Sequence, residues 1–196
     1  IYSMLADMKL YLAEKPSLGR AIASALPQPH HKGEGCIYVG HKDKQHCDVV
    51  SWCIGHLLEQ AEPDAYDASL KKWSHAHLPI IPETFKGGWK LLAKSKTRKQ
   101  FTVLKKLIKQ ATHIVHCGDP DREGQLLVDE VINHVGVKEQ VQQSIQRCLI
   151  SDLNTPAVKK SLANLKPNAD FSALSISALA RSRADWLYGM NLTRAY

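Results

Sequence analysis

Residues 116 to 125 read HCGDPDREGQ, placing Asp119, Asp121 and Glu123 within five positions, with Arg122 among them. Like charges this close repel one another, so something must hold them or use them. Gly118 lets the backbone leave a strand sharply. Pro120 keeps Asp119 extended, and side chains two apart in an extended chain share a side, so the two aspartates can face one ion. Glu123 falls where a helix begins, and a helix N-terminus favours negative charge. Gly124 leaves room for close backbone approach. An all-carboxylate set suits Mg²⁺, which keeps several waters and takes a substrate phosphate. Such a cation would also relieve the self-repulsion. A helix cap accounts for one aspartate but not for three acids around a proline.

A second acid stands in AEKPS, residues 13 to 17, where Glu14 and Lys15 follow a short apolar run. Ligands of open α/β sheets sit beyond the carboxyl ends of the strands. If the two strands concerned are neighbours, Glu14 meets Asp119 and Asp121. Taken alone, AEKPS reads equally well as an ordinary strand-to-helix turn, with Pro16 and Ser17 starting the helix. Lys15 there either steadies a phosphate oxygen or is solvated.

The elements that must position these acids follow from periodicity. A strand is expected at Lys9 to Ala13, then a helix with Leu18, Ala21, Ile22, Ala25 and Leu26 at helical spacing, stopped by Pro27 and Pro29. GCIYVG and CDVVSWCI read as strands joined by the polar HKDKQH. From Gly55 to Lys96 periodicity is weak and prolines recur, which implies an irregular excursion with short helical pieces; such excursions are often functional. TRKQFTVLKKLIKQA is an amphipathic helix, HIVHC a strand, and QLLVDEVINHVG a helix ended by Gly136. SIQRCLI reads as one more strand. NTPAVKKSLANL carries an N-cap residue and Pro156 at its first helical position, and ALSISALARSRADWLYG is a last helix ended by Gly189. The alternation predicts an α/β fold, a mostly parallel sheet with helices on both faces. The final two helices, with no strand between them, read as the start of another domain. The expected division is 8–153 and 154–196.

Bulk properties narrow the partners. The 196 residues carry a net charge of +7 and a pI of about 9.1, which points either to a polyanion, nucleic acid first, or to a merely basic protein. Hydrophobic residues make up 44%, enough for a packed core. The five cysteines, at 36, 47, 53, 117 and 148, show no CxxC and read as reduced cytosolic thiols. A zinc set of Cys53, His56, His113 and His116 lacks paired-ligand spacing and is set aside. No run approaches a membrane span, the first residues form no signal peptide, and Met4 or Met8 is the candidate natural start. No GxxxxGK[ST] motif for ATP occurs.

Four segments in order, YLAEKPSLGRAIASALP, SWCIGHLLEQAEPDAYD, GDPDREGQLLVDEV and ALARSRADWLYGMNLTRAY, resemble the bacterial DNA topoisomerase III family of type IA topoisomerases. The likeness covers nearly the whole chain after Met8. The glutamate turn with the DxDxE loop resembles the Rossmann-like TOPRIM domain, which primases and some nucleases share; CIGHLLEQ and RADWLYGMNLTRAY are more specific. The resemblance implies that Asp119, Asp121 and Glu123 form an acidic triad, with Mg²⁺ held mainly by the aspartates. It implies that Glu14 belongs to the metal site and donates a proton to the leaving 3′ oxygen, and that Lys15 supports the scissile phosphate. Arg181 and Asp185 match a pair on the helix entering the next domain, near the bound strand. Their four-residue spacing lets them pair on one face; without the family that pair is an ordinary surface one. His56, Arg122 and Arg194 join Lys15, Arg181 and Asp185 as residues matched to DNA binding. The lysines of KSKTRK, with Lys105, Lys106 and Lys109, could contact phosphates, although a solvated helix face explains most of them.

The implied activity is transient cleavage and rejoining of one strand of single-stranded DNA, which relaxes negatively supercoiled DNA and unlinks it. It needs Mg²⁺ and no ATP, and a monomer in the bacterial cytoplasm, associated with the nucleoid, is expected. The family's nucleophile is a tyrosine in a later domain, and nothing here resembles its surroundings; Tyr188 and Tyr196 do not correspond to it. The 196 residues alone are therefore expected to be inactive. Two other readings compete: a nuclease or primase-like enzyme using the same acids with two metals, and a non-catalytic single-stranded-DNA-binding module.

Overall fold

In the computed structural model, which describes residues 7–40 and 47–196, the chain begins with β1 (Lys9–Ala13) and α1 (Pro16–Ala25). It continues through β2 (His30–Lys32), β3 (Cys36–Val39) and β4 (Asp48–Trp52), then a ribbon of β5 (Leu58–Gln60) and β6 (Leu91–Ala93). α2 (Arg98–Gln110), β7 (His113–Cys117), α3 (Arg122–Val135), α4 (Glu139–Gln143) and β8 (Gln146–Arg147) follow, and α5 (Thr155–Leu162), β9 (Lys166–Pro167) and α6 (Ser172–Ala195) complete the order.

Alternation along the central strands decides the layers. Leu10 and Leu12 of β1 point to one face with Val49 and Ile114; Tyr11 and Ala13 point to the other with Val50, Val115 and Cys117. All are buried, so these strands read as continuous apolar runs. α2 and α3 cover the first face through Phe101, Leu104, Leu107, Ile108, Val128, Val131 and Ile132. α1 and α5 cover the second through Leu18, Ile22 and Val158. The strand order is β2-β3-β4-β1-β7-β8-β9. β1 is parallel to β4 and β7, and β7 to β8, while the β2–β3, β3–β4 and β8–β9 pairs are antiparallel. Five strands (β2, β4, β1, β7 and β8) thus run one way, which makes the mixed sheet mostly parallel.

The residues between β4 and α2 form the irregular excursion that their prolines imply. β5 and β6 pair antiparallel, and four short 3-10 turns lie between them. α6 holds this segment in place. The Asn191 amide accepts from Ile80 N at 2.6 Å and donates to Ile80 O at 2.9 Å, and Trp186 meets Trp89 and Tyr66 edge-on.

Several elements differ from the periodicity reading. β2 and β9 were invisible to it, because each is a short polar edge pairing made by main chain. The expected SIQRCLI strand contracts to β8, prolonged by one bond from Cys148 N to His116 O. The last helix does not end at Gly189 but runs to Ala195. A helical glycine costs only about 1 kcal/mol, less than the anchorage of Asn191 and Arg194 beyond it. β9 also separates the last two helices. Residues 154–167, grouped by sequence with the final segment, are built onto the sheet: Val158 is fully buried against α1, and β9 pairs with β8. The candidate start Met4 and the connection HKDKQH fall in residues outside the described ones. No helix among the described residues is long and apolar enough to cross a membrane.

Candidate active site

β1 and β7 are parallel neighbours in the register Ala13 to Cys117. The residues after each strand are therefore forced side by side at the carboxyl edge, and Glu14 comes next to Gly118. The Asp119 N–H donates to Glu14 Oε2 at 2.9 Å, and Lys15 Nζ donates to Asp119 Oδ2 at 2.7 Å. That hydrogen bond, more than any other influence, raises the Lys15 pKa. Pro120 is spanned by a tight turn in which Asp121 N donates to Asp119 O at 2.8 Å. Asp121 then caps α3, its Oδ1 accepting from Gly124 N at 2.7 Å. Glu123 lies in the first turn of α3, where the helix dipole favours it, and faces Arg122 Nε at 3.8 Å.

The two glycines act here by size. A Cβ on Gly118 would sit 2.2 Å from Gly124 O, and one on Gly124 would sit 2.5 Å from Asp119 O and 2.7 Å from Glu14 Oε2. Gly118 was expected to free the backbone angle; what the fold requires of it is space, because β7 ends directly against the first turn of α3.

Beneath the loop lies a buried polar network. His116 Nδ1 accepts from Gly118 N at 3.2 Å, so Nε2 carries the proton and donates to Gln125 O at 3.0 Å. Burial, then the Arg147 charge, depresses the His116 pKa to about 4. The ring is neutral, and its 3.6 Å approach to Asp129 Oδ1 is not an ion pair. Arg147 is fully buried and donates to the carbonyls of Gly118, Asp119 and Cys148 and to Gln125 Oε1. Neither Arg147 nor Gln125 was singled out from sequence. The only available signal was an arginine inside an otherwise apolar strand-like run, and that signal does not say what the side chain holds.

Of the residues proposed from sequence, Glu14, Lys15, Asp119, Asp121, Arg122 and Glu123 gather at this edge. His56, on the turn after β4, stands near them: desolvation and the Lys94 charge lower its pKa, against a pull from Glu123 and Glu14. That direction favours the neutral ring. Arg181 and Asp185 pair with each other at 3.7 Å on an exposed flank of α6. Arg194 is buried, donating to Leu70 O at 2.7 Å beneath the Trp73 ring. Among the described residues these last three make no hydrogen bond or ion pair with the acidic loop.

Among the described residues no three His, Cys, Asp or Glu side chains form a group able to hold a metal ion. This bears on both metal sets considered. Of the zinc set, Cys53 is buried in the core, His113 joins Asp7 at the opposite end of β7, and His116 is committed to the loop. The acids differ in chemistry. Each keeps a carboxylate oxygen free of the bonds described above and is a hard oxygen donor of the kind Mg²⁺ takes, but as they stand the acids are not gathered into one ligand group, Asp119 being turned to Lys15 and Asp121 to Gly124 N. The five cysteines are buried thiols not joined in disulfides.

A family model described as "Toprim domain" matches residues 9–153. The chain is 58% identical to the DNA topoisomerase 3 of Vibrio cholerae over 96% of its own length and 28% of the relative's. It is 57% identical to that of Haemophilus influenzae over the same shares, and 39% identical to that of Staphylococcus epidermidis over 95% of this chain and 24% of the relative. The chain thus spans about a quarter of the length of these curated relatives.

Proposed function

The chain belongs to the Toprim domain family, and from that premise we propose that it supplies the acid- and phosphate-handling part of a bacterial type IA DNA topoisomerase. The whole enzyme, in this reading, cleaves one strand of single-stranded DNA, passes another strand and reseals the break, relaxing negatively supercoiled DNA and unlinking it. Resealing conserves the bond energy, so no ATP is used. It acts as a monomer on nucleoid DNA in the cytoplasm.

The observation that carries the reading is the interlock of Glu14, Lys15 and Asp119 at the ends of adjacent parallel strands. Lys15 is poised to exchange the Asp119 carboxylate for a phosphate oxygen. Glu14 lies beside it as the proton donor to the leaving 3′ oxygen. Asp119, Asp121, Glu123 and Glu14 would hold Mg²⁺, which when bound offsets the negative charge of acids and phosphates. Arg122, His56, Arg181 and Asp185 are assigned contacts along the DNA strand. Arg194, held on Leu70 O, serves DNA binding by fixing the excursion in place. No tyrosine of this chain is assigned as nucleophile, so the 196 residues alone neither cleave nor relax DNA.

The test is Mg²⁺ titration of this chain and its Asp119→Asn variant, with incubation of each on negatively supercoiled plasmid. Mg²⁺ binding lost in the variant, with no relaxation by either, is expected. Equal Mg²⁺ binding would sink the metal assignment, and relaxation by the chain alone would overturn the division of the active site.

A further inference from the structure

Arg147 is an unusual residue to bury. It is 0% exposed, and burial alone opposes its charge. Its hydrogen bonds go to no carboxylate. Nε donates to Gln125 Oε1 at 2.7 Å, Nη1 to Cys148 O at 2.7 Å, Gly118 O at 2.8 Å and His116 O at 3.3 Å, and Nη2 to Asp119 O at 2.8 Å. Gln125 is itself fixed, its Nε2 donating to Asp129 Oδ2 and Asn168 Oδ1.

The carbonyls of Gly118 and Asp119 belong to the two peptide planes on either side of the Asp119 Cα. A trans peptide is planar, so pinning both planes sets φ and ψ of the residue between them. Gly118 O and Asp119 O are pinned by one guanidinium, and Asp119 N by Glu14. The direction of the Asp119 Cα–Cβ bond is then fixed, and the Lys15 hydrogen bond to Oδ2 takes up the rotation that remains to the carboxylate.

We propose that Arg147 is a positioning residue: its buried guanidinium, braced by Gln125, locks the backbone of Asp119 and so aims that carboxylate at the carboxyl edge of the sheet. The metal-binding consequence rests on the function proposed above, while the backbone lock does not. A flat fork of five donors can grip four carbonyls and an amide at once; a lysine ammonium of equal charge cannot. The role is geometric rather than that of a counter-ion, and the two make opposite predictions. Removing a mere counter-ion would strengthen cation binding at the acids, whereas removing a brace weakens it.

The experiment compares wild type, Arg147→Lys, Gln125→Ala and Asp119→Asn by residue-resolved amide hydrogen exchange and by Mg²⁺ titration. In Arg147→Lys, exchange at Gly118 and Asp119 should rise about tenfold while Leu12 and Val50 stay protected, and Mg²⁺ affinity should fall about 10-fold or more. Gln125→Ala, which frees Nε alone of the guanidinium and also releases Asp129 and Asn168, should move the same amides in the same direction by less. Unchanged Gly118 and Asp119 exchange in Arg147→Lys, or Mg²⁺ binding as tight as in wild type, overturns the proposal. If Arg147→Lys does not fold, unchanged exchange at those amides in Gln125→Ala overturns it. Should wild type itself bind no Mg²⁺, the function reading fails and the exchange data alone decide the brace.

Discussion

The Lys15 ammonium and the Asp119 carboxylate meet at 2.7 Å, joined across the ends of two adjacent parallel strands although 104 residues apart in the chain. The same Asp119 offers its N–H to Glu14. The acids crowded into the loop therefore coexist in part because a cation from the neighbouring turn already stands among them. That cation occupies an oxygen which Mg²⁺ or a phosphate-bound ion would claim.

Lys15→Ala should therefore bind Mg²⁺ about 3- to 10-fold more tightly in the absence of DNA, since an opposing positive charge is removed. Its stability should change by less than about 1 kcal/mol, because the side chains of the pair are 46% and 30% exposed. Calorimetric titration and urea unfolding read the two effects separately. Weaker Mg²⁺ binding would show that Lys15 does not compete for the site.

Gly124→Ala tests the packing of the loop on α3. In an ordinary helix this change stabilises by up to about 1 kcal/mol. Here the added methyl would lie 2.5 Å from Asp119 O and 2.7 Å from Asp119 N, so the sign should reverse to a loss of about 1–3 kcal/mol. Thermal or urea unfolding measures it; a stabilised variant would mean the loop yields freely.

Asp121 has two separable duties. Asp121→Ala removes the cap on Gly124 N and should cost about 1 kcal/mol. Asp121→Asn keeps an oxygen for the cap but loses the charge, so unfolding should stay near wild type while Mg²⁺ affinity falls. Equal stability losses in the two variants would contradict the division.

Stability should also depend on pH through Glu130, whose carboxyl is pushed by burial up to about 7. The folded state holds this proton more tightly than the unfolded chain does. The resulting stability is fully present below the unfolded pKa of about 4.3 and is lost as pH rises through about 7, a loss on the order of 3 kcal/mol. His116 acts the other way: its folded pKa is depressed, so its stability is present above its ordinary value and lost toward pH 4. The readout is therefore the difference between wild type and Glu130→Gln from pH 5 to 8. A difference that does not change over that range would reject the assignment.

Much of the fold was legible because the central strands and their helices obey simple periods. β1 and β7 matched their apolar runs, and α2 and α3 matched their amphipathic spacing and, for α3, the Gly136 stop. Elements without a period were lost. β2 and β9 are polar edge pairings, and the run of α6 past Gly189 depends on the distant partners Ile80 and Leu70.

The site divides along the same line. Residue chemistry alone marked Asp119, Asp121 and Glu123 as candidate cation ligands, because three acids around a proline exceed what a helix cap needs; it joined Glu14 and Lys15 to them only on the condition that their strands are neighbours. Only the tertiary structure decided which acid does what. Lys15 takes Asp119, Gly124 takes Asp121, and Glu14 takes the Asp119 N–H. Arg147 reaches the loop from β8 because β8 lies beside β7 in the sheet. Strand order is a property of long-range pairing, and no local pattern of residues encodes which two strand ends will meet.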